Sequence, residues 1–197
     1  MKKLIIITGV SGVGKSSLAK EIYNRLPNST LLSLDILKEN IYDMVGFKDI
    51  SQKKSLSKLS TKLYKNIIRE CLNRNDEVVI LEYPFSRKRW ITFFNNLLVK
   101  YDYEVYTINL FAKNYDVIWE RLKIRENSKY RHPSHYLSSY DYRKKEEYSP
   151  FFEFIYKKHK KEYDNLIPNS INLGKVSNIE DIETLNIDDL IKNIIKN

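Results

Sequence analysis

Short apolar runs alternate with longer segments of helical periodicity along most of this chain. The apolar runs predict five β-strands, at Lys3–Thr8, Thr30–Leu34, Glu77–Leu81, Tyr103–Leu110 and Ser170–Leu173. The first four runs are rich in Ile, Leu and Val, as is typical of strands that are buried on both faces of a parallel sheet.

The segments between these strands predict helices at Ser16–Leu26, Ile36–Met44, Ser51–Asn75, Arg87–Lys100 and Asp116–Arg125. Further helical stretches are predicted around Ser138–Tyr148, Phe151–Tyr163 and Asp188–Lys196. Strands that alternate with helices predict an α/β fold in which right-handed crossovers build a parallel sheet. The polar stretch Glu126–His135, closed by Pro133, predicts a mobile loop between helices.

Three of the chain's five glycines fall within one short segment after the first predicted strand. The segment from Gly9 to Ser16 matches G-x-x-x-x-G-K-[ST], the P-loop or Walker A pattern, and a predicted helix follows it. Glycines let backbone N–H groups converge on phosphate oxygens, and the helix N-terminus adds partial positive charge. The alternative is a glycine-rich turn with a chance lysine, but the flanking strand and helix favour nucleotide binding.

This pattern predicts a site for Mg·ATP. The residues expected to line it are Gly9, Val10, Ser11, Gly12, Val13, Gly14, Lys15, Ser16 and Ser17. Lys15 is expected to reach the β- and γ-phosphates, and Ser16 is expected to bind Mg²⁺.

Two carboxylates follow the next two predicted strands, and the ends of parallel strands meet at one edge of a sheet. Asp35 follows the second strand, and it is a candidate for the base that takes the proton of an acceptor hydroxyl. Its alternative role is that of a helix N-cap. Glu82 follows the third strand, where it is expected either to bind Mg²⁺ or to serve as a substrate-facing or structural carboxylate. Lys38, one turn after Asp35, either binds an anionic group of the substrate or is simply exposed.

Arginines in and after the helix at Asp116–Arg125 form a further candidate group. Arg121 and Arg125 are four residues apart on one helix face, and Arg131 follows in the predicted loop. Arginine forks match the charge that spreads over phosphoryl oxygens during transfer, so these residues predict a closing lid over residues 125–135. The alternative is a surface helix with salt bridges to Glu120 and Glu126. His132 is equally consistent with a role in shaping the loop.

Three aromatic residues after Glu82 leave two interpretations open. Tyr83, Phe85 and Trp90 form either a wall for a flat substrate or, as we favour, part of the core under the sheet.

The composition limits the class of protein but does not identify its binding partner. The chain has 197 residues and fits a single domain over 1–197, with a helical C-terminal part over 136–197 that matches no known pattern. A single cysteine, Cys71, and the lack of any apolar stretch of about 20 residues predict a cytoplasmic protein with no membrane partner. The net charge of +9 is consistent with a nucleic-acid partner, with an anionic substrate or with solvated basic helix faces, which we favour.

Taken together, the segment Gly9–Ser16, the run from Asp35 to Glu39 and the basic stretch from Arg121 to Pro133 resemble the P-loop kinases of the nucleoside-monophosphate-kinase-like group. That group includes small-molecule kinases, chloramphenicol phosphotransferase, zeta toxins and the polynucleotide 5′-kinase domain. The resemblance covers about residues 1–135, and the run at Asp35 is most similar to the D-x-x-[KR] pattern of polynucleotide kinase. It implies a three-layer P-loop NTPase fold with five parallel strands in the order 2-3-1-4-5.

The resemblance also implies an activity, namely ATP-dependent transfer of the γ-phosphoryl group to a hydroxyl of a small molecule. In that activity Lys15, Asp35, Arg121 and Arg125 are the expected catalytic residues, and Asp35, Lys38, Glu82 and Arg131 line the acceptor side. Two alternatives stay open: a polynucleotide 5′-hydroxyl kinase, and a regulatory ATPase without an acceptor. The sequence identifies neither the acceptor nor the oligomeric state.

Overall fold

A parallel β-sheet forms the centre of the molecule. The computed structural model describes residues 2–85, 88–110, 115–126, 131–147, 171–176 and 187–196. The strands are β1 (Lys3–Gly9), β2 (Ser29–Ser33), β3 (Val78–Glu82), β4 (Glu104–Leu110) and β5 (Ile171–Val176). Their order is β2-β3-β1-β4-β5, and every pair is parallel. The predicted α/β class and the order of the first four strands are therefore confirmed, and β5 pairs with β4 at the sheet edge.

Helices occupy the positions that the periodicity predicts, with ends shifted by one or two residues. The described chain contains α1 (Lys15–Arg25), α2 (Leu34–Val45), α3 (Ile50–Asn73), α4 (Lys88–Leu98), α5 (Tyr115–Glu126) and α6 (Ile187–Lys196).

Two helical predictions after α5 have other outcomes. The prediction of a helix around Ser138–Tyr148 is wrong, because a short 3-10 turn at Tyr142–Glu147, bent at Lys144, is found there. This run is polar and has no apolar stripe that could pack a longer helix against the sheet. The predicted helix at Phe151–Tyr163 lies outside the described residues.

Alternate residues of the central strand β1 face two different helix layers. Ile5 and Ile7 are fully buried in a cluster with α1, α5 and α6. Leu4 and Ile6 are fully buried in a second cluster with α3 and α4. Burial on both faces explains why β1 is apolar without alternation, and it places the end of β1 between the two layers.

The aromatic residues after β3 belong mainly to the core. Phe85 and Trp90 are 1% exposed, and their rings make edge-to-face contacts with centroids 5.2 Å apart. Tyr83 is only half-buried, and its hydroxyl lies at the edge of the sheet near α2. The core interpretation therefore holds for Phe85 and Trp90.

Residues 131–147, here called the docking segment, pack against α2 and the start of α3. Phe47 and Tyr140 exchange backbone hydrogen bonds of 2.9 and 2.7 Å, and their side chains share a small apolar cluster. Gly46 has a φ of 67° beside this bridge, and a Cβ there would lie 2.8 Å from the Tyr140 carbonyl oxygen. The last residues of the predicted mobile loop, His132–His135, are therefore held by hydrogen bonds rather than extended into solvent.

The single cysteine, Cys71, is 4% exposed and packs in the core. Burial raises the pKa of the Cys71 thiol to about 11, and the nearby Asp76 carboxylate adds to this effect. In the described part of the chain, no helix combines the length and the apolar character that a bilayer-spanning segment needs.

Candidate active site

The loop from Gly9 to Gly14 has the backbone shape that its glycines predict. Gly9, Gly12 and Gly14 have φ angles of 136°, 84° and 95°, in the region that side chains disfavour. Gly14 precedes α1, and no side chain among the described residues caps that helix. The first N–H groups of α1 thus lack a side-chain partner, as an anion site at a helix N-terminus requires.

Helix α5 packs directly on this loop. Val10 and Val13 are buried in one cluster with Ile118 and Leu122 of α5. A Cβ on Gly12 would lie 3.0 Å from the Leu122 side chain, so the loop and α5 are in close contact. Residues of α5 that flank this contact are consequently close to the loop.

Lys15 begins α1 and is 7% exposed. Its Nζ donates a hydrogen bond of 2.8 Å to the Val10 carbonyl oxygen across the loop. Burial lowers the pKa of Lys15, while the charges of Glu82 and Asp35 act in the opposite direction. The loop therefore holds a desolvated ammonium close to both carboxylates that the sequence places after β2 and β3.

Glu82 ends β3, next to β1 in the sheet, and is 4% exposed. The Ser33 hydroxyl donates to Glu82 Oε2 at 2.8 Å, and the Ser16 side chain is close enough to Glu82 to lower its pKa. Burial raises the pKa of Glu82, and Lys15 partly offsets this effect. A hydroxyl and a carboxylate are hard oxygen ligands of the kind that Mg²⁺ prefers, so Ser16 and Glu82 together fit the predicted magnesium site.

Asp35 lies in the first turn of α2 with about half of its side chain exposed. Lys38 Nζ donates to Asp35 Oδ1 at 3.0 Å and to the Tyr83 hydroxyl at 3.2 Å. Burial raises the pKa of Asp35, but Lys38, with smaller contributions from His135 and Lys15, leaves it below its ordinary value. Asp35 is therefore an ionised, accessible carboxylate on the same edge as Lys15.

The alternative role of Asp35 as a helix cap is wrong. Helix α2 begins at Leu34, directly after β2, so its N-cap is Ser33. The Ser33 hydroxyl makes no capping hydrogen bond because it is turned to Glu82. Lys38, predicted to lie near Asp35, contacts it directly and is mostly buried rather than simply exposed.

The two arginines of α5 have different surroundings in this structure. Arg125 is close enough to Lys15 for its charge to lower the pKa of that ammonium further. Arg121 is half-buried, and no described residue pairs with its buried Nη1. The side chain of Glu126, one of the predicted salt-bridge partners, is outside the description. Arg131 is half-buried at the start of the docking segment, and its contact with an acceptor stays a prediction.

Sequence reasoning missed three side chains that the structure brings to this edge. Ser33 binds Glu82, and its place at the end of a predicted strand was the available signal. His135 contacts Glu39 of α2, with Nε2 and Oε1 2.5 Å apart. That contact joins residues 96 positions apart, so no local pattern could reveal it.

Comparison with known protein families identifies the family of this chain. The sequence profile described as "AAA domain" matches residues 4–140, and this chain belongs to that family of P-loop proteins. The matched range contains the loop, both carboxylates and the arginines of α5. Among curated proteins, none matches the chain.

Solved structures supply the second finding. A candidate kinase from Chloroflexus aurantiacus superposes with a TM-score of 0.73 over 99% of this chain and 96% of that one, at 21% identity. At that identity the likeness shows a shared fold. A tunicamycin resistance protein from Deinococcus radiodurans is more distant, with a TM-score of 0.47, 21% identity and coverage of 62% of this chain and 69% of that one. A gluconokinase from Sinorhizobium meliloti has a TM-score of 0.41, 18% identity and coverage of 68% and 69%.

Proposed function

We propose that this protein is an ATP-dependent phosphotransferase that moves the γ-phosphoryl group of ATP to a hydroxyl of a small molecule. The observation that carries the proposal is the position of Asp35. An accessible, ionised carboxylate stands on the sheet edge that also holds Lys15 and Glu82. Transfer to a bound hydroxyl uses a base beside the phosphate, and Asp35 fits that role.

The proposed reaction assigns one task to each group. The loop N–H groups and Lys15 hold the β- and γ-phosphates, and Asp35 orients the acceptor hydroxyl. The acceptor oxygen forms a bond to the γ-phosphorus while the bond from phosphorus to the β–γ bridging oxygen breaks. Asp35 takes the hydroxyl proton, so the products are ADP and a phosphate monoester. Arg121 and Arg125 stabilise the charge that develops on the transferred group. Ser16 and Glu82 would hold Mg²⁺, which offsets phosphate charge when bound.

The pairing of three basic residues, one on α3 and two in the docking segment, favours a small acceptor over a nucleic acid. Lys53 Nζ donates to the carbonyl oxygen of Leu137 at 2.9 Å, and Lys145 pairs with Asp43 at 3.1 Å. Arg143 is paired with Asp141. These cations stabilise the docking segment, so their charges are partly committed within the chain rather than presented together to a polyanion.

The experiment follows label from [γ-³²P]ATP into products and ADP release in parallel, with candidate acceptors and with a 5′-hydroxyl oligonucleotide. Asp35→Asn keeps the side-chain shape and a hydrogen-bond acceptor but removes the base. Loss of a general base costs about 10²–10⁴-fold in rate, so kcat for transfer should fall by that factor while ATP affinity is retained.

Asp49→Asn is the matched control. It makes the same change at the N-cap of α3, where Asn caps equally well, and transfer should be unchanged. If Asp35→Asn transfers phosphate at the wild-type rate, Asp35 is not the base. ADP release that needs no acceptor and is unchanged in Asp35→Asn would favour the regulatory ATPase. Transfer of label to the oligonucleotide would favour the 5′-kinase.

A further inference from the structure

The docking segment places a histidine one helical turn from Asp35. Asp35 and Glu39 are four residues apart on α2, where Cβ atoms are about 5–6 Å apart. His135 Nε2 lies 2.5 Å from Glu39 Oε1, and both side chains are about one-fifth to one-quarter exposed. Lys53 Nζ donates to the carbonyl oxygens of Leu137 and His135, at 2.9 and 3.4 Å, which fixes the backbone that carries the ring.

The Lys38 and His135 side chains that lie beside these two carboxylates are already paired with them. Lys38 is bonded to Asp35, and His135 is bonded to Glu39. Lys15, another cation near Asp35, is the ligand for the phosphates of ATP in the proposed function. An anionic acceptor would thus meet two carboxylates whose nitrogen partners are already engaged, which is unfavourable.

Each pair still has hydrogen-bonding capacity for a neutral group. The Lys38 ammonium has three N–H donors, of which Asp35 and the Tyr83 hydroxyl take two. No described residue binds His135 Nδ1, which accepts a hydrogen bond in the neutral ring and donates one in the protonated ring. A hydroxyl both donates and accepts, so it is complementary to His135 in either state.

On the basis of the proposed function, we propose that the acceptor is a neutral polyhydroxylated compound, such as a sugar or a nucleoside. One hydroxyl lies on Asp35 and receives the phosphoryl group. A second hydroxyl contacts His135, which is a binding residue for the acceptor, and Glu39 acts as its positioning residue.

The test measures binding and transfer with two matched pairs of probes, on the full chain with Mg·ATP or its non-hydrolysable analogue. The first pair is an aldose and the aldonic acid of the same sugar, which differ by one carboxylate. The second pair is a nucleoside and its 3′-monophosphate, both with a free 5′-hydroxyl. The expected result is that a neutral member of at least one pair raises Tm and accepts phosphate, and that its anionic partner does so more weakly. Preference for the aldonic acid or the 3′-monophosphate, or no response to any member, would overturn the proposal.

Variants then assign the contact to His135. His135→Ala should weaken binding of the neutral probe about 10–100-fold, the range for a lost hydrogen bond of about 1.5–3 kcal/mol. Glu39→Gln should raise the acceptor KM by a smaller factor and leave the KM for ATP unchanged. The matched control is His132→Ala, because His132 forms a second histidine–carboxylate pair with Asp43 on the same two elements, at 2.8 Å. His132→Ala should lower Tm without changing the acceptor KM, and equal effects of both histidine variants on that KM would refute a specific role for His135.

Failure of the proposed function gives a different result. If Mg·ATP does not raise the Tm of the wild-type chain, or raises the Tm of Lys15→Ala equally, the nucleotide site itself is wrong. If neutral probes bind in a His135-dependent way and no phosphate is transferred, the inferred ligand class stands and the proposed kinase activity fails.

Discussion

Lys15 and Glu82 are buried charges at the candidate site, and their desolvation should lower the stability of the fold. Removing both charges should therefore stabilise the protein. Lys15 and Glu82 are 7% and 4% exposed. Burial lowers the pKa of Lys15 and raises the pKa of Glu82, so for each group desolvation outweighs its attraction to the other. We predict that the double variant Lys15→Met, Glu82→Gln is more stable than the wild-type chain at pH 7 and has no transfer activity.

The magnitude follows from the cost of burying charge. Lys15 and Glu82 interact through their charges, and replacing buried opposite charges by uncharged groups of similar volume stabilises proteins by about 1–4 kcal/mol in known cases. Met fills the space of the Lys15 stem, and Gln keeps an acceptor for the Ser33 hydroxyl. For a domain of this size, each kcal/mol corresponds to about 2–4 °C in Tm. The double variant should therefore unfold at least about 2 °C above the wild-type chain without ligand.

Thermal and urea unfolding of both chains across pH test this prediction. An acid whose pKa is raised by folding loses stability as pH rises from its unfolded pKa through its folded pKa, so the advantage of the double variant should be smallest in acid and grow toward neutral pH. Mg·ATP should stabilise only the wild-type chain, by about 2.7 kcal/mol at 100 times Kd, and so raise its Tm alone. A double variant less stable than the wild-type chain at pH 7 would show that the pair stabilises the fold, contrary to our reasoning.

Three further predictions concern other parts of the site and fold. Arg121→Ala and Arg125→Ala should each lower kcat by up to about 10³-fold and raise the KM for ATP by a smaller factor, because these contacts act in the transition state. Steady-state kinetics in which only the KM changes would contradict this prediction. Gly9→Ala should cost more than about 3 kcal/mol in urea unfolding, because its Cβ would lie 2.1 Å from the Leu110 carbonyl oxygen; a wild-type midpoint would rule out the clash. Burial lowers the pKa of His132 despite the nearby Asp43 carboxylate, so folding favours the neutral ring. Tm should therefore fall as pH drops through about 6.5. His132→Asn should remove part of that loss of Tm, and an unchanged pH profile in this variant would contradict the prediction.

The sequence predicted the loop side of the site because its signals are local. Gly9–Ser16 is one continuous pattern, and Asp35 and Glu82 follow strands whose parallel ends must meet at one edge. Because the strands pair in parallel, Asp35 and Glu82 lie at the same edge of the sheet although they are far apart in sequence. Their proximity could therefore be predicted without knowledge of any tertiary contact. The error at Asp35 arose because α2 begins immediately after β2, which moves the cap to Ser33.

The acceptor side could not be predicted in the same way. The contacts of His132 with Asp43 and of His135 with Glu39 join positions 89 and 96 residues apart. They depend on how the docking segment folds back onto α2, which is decided by tertiary packing around Tyr140 rather than by any local repeat. The polar composition of these residues predicted a mobile loop, whereas mutual pairing allows them to pack against a helix.

The inert thiol of Cys71 makes the molecule convenient for site-specific labelling. Alkylating probes react with thiolates, and a buried thiol with a pKa of about 11 supplies very little thiolate at neutral pH. Two cysteines introduced at Ile36 and Ile124, which are 58% and 72% exposed, would therefore carry almost all of an attached dye pair. Since Ile36 adjoins Asp35 and Ile124 adjoins Arg125, energy transfer between the dyes would report directly on the separation of the two sides of the site during turnover.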